Sequence, residues 1–371
     1  MVGVPFSGIF NGRRVLLTGH TGFKGGWLSL WLRDLGAEIS GFALPPPGGN
    51  NFFDLLPRET FSNSWFKDLR DAGALTEALA ASKPDIVFHL AAQPLVGVSY
   101  REPIATFTTN VLGTALLLEA VRETASSPAV VVVTSDKCYR NDNRGRPFVE
   151  DDPLGGSDVY SMSKAATELV VAAWHASFFS KERGRGPLAT ARAGNVIGGG
   201  DYAEDRLVPD AVRAFEAKKP LVLRRPQATR PWQHVLESLS GCLALGQRLL
   251  ETPEKERLLS FNFGPDFEAE RSVQELVKCW LAAWPGSVEV QTARDQQYEE
   301  ATRLSLDHTK AVKQLGWKPV WDFRQTVEQT ARWYRLRHDE QANASAMLTF
   351  TQEQIAAYTK NASDARVAWA M

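Results

Sequence analysis

Residues 13–35 read RRVLLTGHTGFKGGWLSLWLRDL, and this stretch decides the fold. Val15, Leu16 and Leu17 form an apolar run suited to a buried strand. Gly19, Gly22 and Gly25 follow at three-residue intervals, ahead of an amphipathic segment carrying Trp27, Leu28, Trp31, Leu32 and Leu35. Strand, glycine-rich turn and helix in that order leave backbone N–H groups free at a helix N-terminus, where a pyrophosphate can sit. The glycines permit a tight turn and a close approach of backbone to ligand that a Cβ would obstruct. A glycine triplet alone also occurs in ordinary turns; its setting between strand and helix makes a dinucleotide site the working expectation.

Outward from that turn, strands and helices alternate. Gly36 stops the first helix, residues 38–44 read as a second strand, and Pro45-Pro46-Pro47 ends it. Residues 50–66 read as an irregular, aromatic-rich loop with a short helix. A helix over 72–82, a strand over 85–92, a helix over 104–124 and the strand 129–134 (AVVVVT) follow. A helix over 159–179, the basic turn KERGRGP and a strand within 188–197 complete the series. Strands separated by helices mean right-handed crossovers, hence an α/β, doubly wound, parallel Rossmann-type sheet with its ligand at the strands' carboxyl ends.

Residues 1–194 are expected to form this dinucleotide-binding domain, with a return segment near 232–262. Residues 195–371 are expected to form mainly a smaller, mixed substrate-binding lobe with a helical tail. Helices are expected over 207–218, 237–251, 272–283, 307–315 and 323–336, with one strand over 259–263. Residues 337–347 read as a mobile polar link, and TQEQIAAYTK as a last docked helix.

Composition narrows the function. The 371 residues are 44% hydrophobic and 23% charged with a net charge of −1, which gives no general attraction to nucleic acid or anionic membrane. Cys138, Cys242 and Cys279 are scattered and odd in number, and the six histidines are dispersed. This predicts neither disulfide framework nor metal site and fits a reducing cytosol. The first residues lack the pattern of a signal peptide, and no run approaches the ~20 apolar residues of a membrane helix. The expectation is a cytoplasmic protein.

Three groups carry chemistry. Tyr160 and Lys164, in YSMSK, lie at i and i+4 on one helix face, so a phenol and an ammonium share one space. A nearby cation favours phenolate and would bring the phenol toward use as a general base. Ser135, Asp136 and Lys137 follow the AVVVVT strand directly, at the carboxyl end where a site belongs; otherwise they form a capped turn. The acid expected after the second strand to hold the adenosine ribose is missing, because the strand ends Gly41-Phe42-Ala43-Leu44. Asp68, at the next strand end, is either an adenine contact or a solvated carboxylate. Cys138 is expected to pack.

The stretches TGHTGFKGGWLSLWL, HLAAQPLV, TSDKCY, YSMSK, RAGNVIGGGD, DRLVPD and RPWQHVLE resemble the nucleotide-sugar 4,6-dehydratases of the extended short-chain dehydrogenase/reductase superfamily. NFGP and LGWKP extend the similarity, which covers about residues 12–335 and is nearest to the branch acting on CDP-glucose. The resemblance implies bound NAD as a temporary hydride store. Tyr160 would take the proton of the sugar O4, supported by Lys164 and Ser135, and Asp136 would protonate the departing C6 hydroxyl. Lys137, where relatives acting on dTDP-sugars have Glu, would be the C5 base or a charged stabiliser of the enolate. Gly19, Thr21, Gly22, Phe23, Lys24, Gly25, Asp68, Leu69, Leu90, Ala91, Ala92, Gln93 and Asn110 would hold the cofactor with Tyr160 and Lys164. Gln93, Ser135, Asn195, Arg206, Leu207 and Arg230 would meet the substrate, the arginines serving its diphosphate.

Several readings stay open. Ser99 lines the pocket with Gln93 and Asn110, or Asn110 braces helices. Arg213, Arg224 and Arg225 are further phosphate candidates, or else solvated or paired charges. The long helices either dimerise or pack wholly on the sheet. A redox or epimerising relative and a dinucleotide sensor are the competing functions; intact Ser135, Asp136, Lys137, Tyr160 and Lys164 favour the dehydratase.

Overall fold

The computed structural model describes residues 3–46, 48–141, 145–179, 185–223, 225–252, 258–266, 270–284, 286, 289–292 and 304–371. Seven parallel strands form its centre: β1 (Arg14–Thr18), β2 (Glu38–Ala43), β3 (Asn63–Phe66), β4 (Ile86–His89), β5 (Ala129–Val133), β6 (Leu188–Ala193) and β7 (Leu259–Phe263). Their order is β7-β6-β5-β4-β1-β2-β3, so the sheet reverses direction of growth between β1 and β4. A crevice opens there at the strands' carboxyl ends. Residues of β1, β4 and β5 are almost wholly buried because helices cover both faces, which is why these strands read as unbroken apolar runs.

The helices are α1 (Phe23–Asp34), α2 (Ala72–Ser82), α3 (Pro103–Glu123), α4 (Val159–Trp174), α5 (Leu207–Glu216), α6 (Val235–Glu251), α7 (Val273–Ala283), α8 (Thr309–Leu315), α9 (Phe323–His338) and α10 (Ala344–Asp364). By length and composition alone α3 would also pass as a membrane span, against the expectation that no segment would. One face of it packs on the core, where Leu117, Leu118 and Val121 are buried and Asn110 and Thr114 bond inward.

Two local expectations change. Within 50–66, the chain makes two short 3-10 turns, Phe53–Leu55 and Arg58–Thr60, and then pairs β3 with β2. Strand β3 lies at the sheet edge with three of its four residues exposed, so it carries no apolar alternation to read. Nor is 337–347 a simple link: α9 runs on to His338 and α10 begins at Ala344 under an Asn343 cap that accepts from Ala346 N at 3.0 Å. Met347 is buried, which anchors that first turn. Residues 181–184 of the expected basic turn lie outside the described residues.

Candidate active site

The glycine-rich turn closes against the end of β4. Gly19 has φ +78°, and a Cβ there would meet Ala91 N at 2.7 Å. A Cβ on Gly25 would meet Gly19 O at 2.0 Å, so helix and turn touch only because both residues are glycine. Gly22 precedes α1, and its Cβ direction meets nothing nearer than Gly19 O at 3.4 Å, leaving the face toward the crevice open. Behind the turn, the Thr18 hydroxyl bonds His89 Nδ1 at 2.7 Å and accepts from Ala91 N at 3.2 Å, while His89 Nε2 bonds Thr114 Oγ1 at 3.0 Å. Burial holds His89 down to about 3, so this pillar is uncharged.

A cavity of about 970 Å³ extends from this turn across the ends of β4, β5 and β6. Gly19, Thr21, Gly22, Phe23, Lys24 and Gly25 form one wall. Leu90, Ala91 and Ala92 continue it after β4, with Asp68 and Leu69 at one end. Ser135, Asp136, Lys137, Tyr160 and Lys164 line the middle; Asn195, Arg206, Leu207 and Arg230 line the far side. Arg225 also lines the cavity, Arg213 donates to Asp210 and to the Tyr202 and Ala203 carbonyls, and Arg224 lies outside the described residues.

Gln93 and Asn110 stand behind the wall and not on it. Asn110 accepts from Gln93 N at 2.8 Å and donates to Ser163 Oγ at 2.8 Å, bracing the β4 exit against α4. The Gln93 amide spends its donors on Leu95 O and Thr106 Oγ1. Ser99 is buried and bonds Val96 O.

The reacting-side groups are set by α4 and the β5 exit. Asp158 caps α4, accepting from Ser161 N at 2.9 Å, which fixes Tyr160 in the first turn and Lys164 one turn on. Ser135 donates to Asp136 Oδ1 at 2.9 Å and accepts from Lys137 N at 3.2 Å. Asp136 is 2% exposed, and its Oδ2 has no hydrogen-bond partner among the described residues. Burial, opposed by Lys137, pushes this carboxyl above its ordinary range and toward the protonated acid. A Cβ on Gly194, at the end of β6, would lie 1.8 Å from Asp136 Oδ2, so the carboxyl occupies the place of a missing side chain. The Lys137 ammonium sits 6.0 Å from the centre of the Tyr160 ring.

Burial pushes Tyr160 up to about 12, with the Ser135 hydroxyl opposing, so the phenol is not brought down in the cavity as it stands. Burial, with Asp136 and Asp158 adding to it, accounts for the rise. Lys164 is itself brought down to about 8, by burial first and then by Lys24. Arg206 is held by Asp201, Nη1 to Oδ2 at 2.8 Å, and bears on Tyr160 in the lowering direction.

The second strand ends without an acid: Glu38 is exposed at its opposite end, and Leu44 offers its carbonyl to Thr21 Oγ1 at 3.0 Å. Asp68 is engaged by Arg70 through both carboxylate oxygens, at 2.9 and 2.6 Å, which holds it below the usual carboxylate range. Cys138 is fully buried. Gly194 and Asp201 escaped sequence reasoning, although both stand inside the quoted RAGNVIGGGD; their partners Asp136 and Arg206 are distant or flanking in sequence and meet only in the fold. Among the described residues no cluster of His, Cys, Asp and Glu is arranged for a metal ion.

The sequence profile of GDP-mannose 4,6-dehydratase matches residues 16–330. The CDP-glucose 4,6-dehydratase of Salmonella typhimurium is 44% identical over 330 residues, covering 88% of this chain and 91% of that one. The dTDP-glucose 4,6-dehydratase of Xanthomonas campestris pv. campestris is 28% identical, covering 86% and 92%. Among solved structures, DesIV, a dTDP-glucose 4,6-dehydratase from Streptomyces venezuelae with NAD and TYD bound, superposes with a TM-score of 0.75 at 26% identity, over 88% of this chain and 98% of that one. The UDP-glucose-4-epimerase of Stenotrophomonas maltophila, with bound NAD and formylated UDP-arabinopyranose, shares the fold with a TM-score of 0.77 at 21% identity, over 89% and 100%.

Proposed function

The chain belongs to the GDP-mannose 4,6-dehydratase family, and from that premise we propose that it is an NAD-dependent hydro-lyase converting CDP-glucose to CDP-4-keto-6-deoxyglucose. The observation that carries this reading is the buried Asp136, unpartnered at Oδ2 among the described residues and standing in one cavity with Tyr160 and Lys164, where burial pushes its carboxyl upward. An epimerising relative needs the phenol and the lysine; a poised carboxylic acid beside them serves the expulsion of a hydroxyl. CDP-glucose as the substrate rests on the Salmonella relative.

The site fits the cofactor. Gly19 and Gly25 let turn, strand and helix close up, and Gly22 leaves its outer face bare for a pyrophosphate. Phe23, Lys24, Asp68, Leu69 and Leu90 to Ala92 border the same channel and would hold the rest of the dinucleotide. When bound, the nicotinamide supplies reversible hydride storage, receiving from the sugar C4 and giving back to C6. Tyr160 takes the proton of the C4 hydroxyl, with Ser135 and the Lys164 cation stabilising the charge left on the phenol. The resulting C4 ketone acidifies the C5 proton, and Lys137 acts there, as base or as the cation facing the enolate. Asp136 gives its proton to the C6 hydroxyl, which leaves as water, and C5 is reprotonated after C6 is reduced. Asn195, Leu207 and Arg230 border the sugar-nucleotide side, with Arg206 fixed by Asp201 for the diphosphate.

We place the enzyme in the cytoplasm, in keeping with its three unpaired cysteines. It is a homodimer through α3 and α4, where Ile104, Phe107, Leu112, Met162 and Leu169 remain exposed. Purified protein incubated with CDP-glucose and NAD should yield a product lighter by one water. Unchanged mass with altered stereochemistry would instead indicate epimerisation, and no chemistry despite NAD binding a sensor. The same preparation should sediment at dimer mass; monomer mass would remove the α3–α4 interface.

A further inference from the structure

Beyond β6 the chain enters the loop 198–201 (GGGD), and aromatic side chains hold this loop from three directions. Trp27 of α1 donates its indole N–H to Gly199 O at 2.9 Å, and the Tyr334 hydroxyl of α9 donates to Asp201 O at 2.5 Å. Phe52, from the segment after β2, is the third. It is 2% exposed and stacks on Trp27, with ring centres 5.4 Å apart, and on Trp333 of α9 at 6.3 Å. A Cβ on Gly26 of α1 would lie 2.3 Å from Phe52 Cδ1, and a Cβ on Gly200 would lie 2.5 Å from Cδ2, so the ring is wedged between helix and loop. We propose that Phe52 is a positioning residue for the substrate diphosphate: its ring sets the place of the loop from which Asp201 presents Arg206. This deepens the dehydratase reading and rests on it for the role of Arg206.

Each link from Phe52 to Arg206 is a direct contact. Asp201 is 4% exposed; its Oδ2 accepts from Arg206 Nη1 at 2.8 Å and its Oδ1 from Ala203 N at 3.1 Å. Behind the stack, Trp333 donates to Thr351 Oγ1 of α10 at 3.0 Å, which gives the ring under Phe52 its own anchor. Phe52, Gly200, Asp201 and Arg206 border the cavity, whereas Gly26 is not among its lining residues. A flat, rigid ring spans the gap between Gly26 and Gly200; a leucine there leaves a void into which the loop relaxes. A guanidinium engages phosphate oxygens by direction, so a small displacement of Asp201 is read as lost affinity. The glycine-rich turn is seated separately, with Gly19 against Ala91, and the cofactor does not share this dependence.

Calorimetric titration of the NAD-loaded protein with CDP tests this without turnover. Phe52→Leu is expected to weaken CDP about five- to tenfold, part of what one charge-assisted hydrogen bond contributes, and to leave NAD affinity unchanged. In turnover, KM for CDP-glucose should rise by the same factor while kcat holds. Gly26→Ala, which sets one methyl against the ring from outside the cavity, should weaken CDP in the same selective way. In an Arg206→Ala background, itself about 10- to 100-fold weaker for CDP, Phe52→Leu should add nothing further. Undiminished CDP affinity in either Phe52→Leu or Gly26→Ala, an equal loss in both arginine backgrounds, or a parallel loss of NAD and CDP overturns the proposal. An Arg206→Ala protein that binds CDP like the parent would sink the diphosphate reading and the proposal with it. Parent protein that binds CDP as expected but leaves CDP-glucose unchanged would sink the dehydratase reading alone.

Discussion

Helix α4 passes between two sets of buried charges that are built in opposite ways. On its inner side Glu168 meets Arg192 of β6 at 2.7 Å, with both side chains under 5% exposed. Glu168 also accepts from Thr134 and Thr190, while Arg192 donates to the Tyr139 hydroxyl and the Glu150 carbonyl at 2.8 Å. Tyr139 passes the chain on to Asn262 of β7 at 2.7 Å. One turn back, on the cavity side, Asp136 keeps an unpartnered oxygen, and the ammonium groups of Lys24, Lys137 and Lys164 have no hydrogen bond or ion pair among the described residues. A network in which, among the described residues, every group but Arg192 Nε is engaged fixes a helix; one that leaves its charges unengaged waits for a substrate.

The sharpest break of this contrast is Asp136→Asn, which preserves shape and removes the acid. Turnover should fall by about 10²- to 10⁴-fold with reduced cofactor accumulating, because oxidation at C4 survives and water loss does not. Stability should be no lower than the parent's by urea denaturation, since the amide needs no buried charge; a variant that unfolds early would make Asp136 structural.

On the other side of the helix the expected loss is stability. Glu168→Ala should cost about 3–5 kcal/mol by leaving Arg192 uncompensated. Glu168→Leu combined with Arg192→Met should recover much of it, and a double variant as unstable as the single one would show that packing and not charge dominates.

Glu237 on α6 is an intermediate case and gives the smallest effect. It accepts from Val320 N, Trp321 N and the Tyr358 hydroxyl, so it is well bonded, yet burial still pushes it up to about 7. A folded value above the unfolded one gives stability that is complete below the unfolded value and lost as pH rises through about 7. Between pH 5 and 8 this amounts to about 2 kcal/mol. The neutral histidines His20, His89 and His234 act in the opposite sense, losing stability as pH falls. The readout is therefore the difference between parent and Glu237→Gln in denaturation midpoint against pH, and parallel profiles would remove Glu237 from the account.

What could be read from sequence was local. Val15 to Leu17, the glycine spacing, the AVVVVT strand and the Tyr160–Lys164 interval each state their geometry within a few residues, and the parallel order follows from their alternation. What could not be read depends on distant partners. Strand β3 exists because β2 offers it an edge, and Gly194 matters only because Asp136 arrives from another strand. Of the two readings open for Asn110 the structure shows the bracing one, in which it and Gln93 satisfy each other through a backbone contact that sequence does not display. The i+4 lysine of Tyr160 is likewise visible in sequence, but the burial of both side chains is not.

The place of β7 also has a consequence for how the protein comes to be made. Strand β6 is complete at Ala193, but among the described residues its outer edge pairs with Leu259–Phe263, which come about 65 residues later. Until those residues leave the ribosome, β6 presents an unpaired, apolar edge, and Tyr139 lacks Asn262. The nucleotide-binding sheet is thus a late product of synthesis, and at speeds of about 5–20 residues per second the nascent chain carries that open edge for several seconds. A chaperone that shields strand edges would find its substrate in that interval, and a release at residue 194 would yield a sheet with a side left to pair with its neighbours.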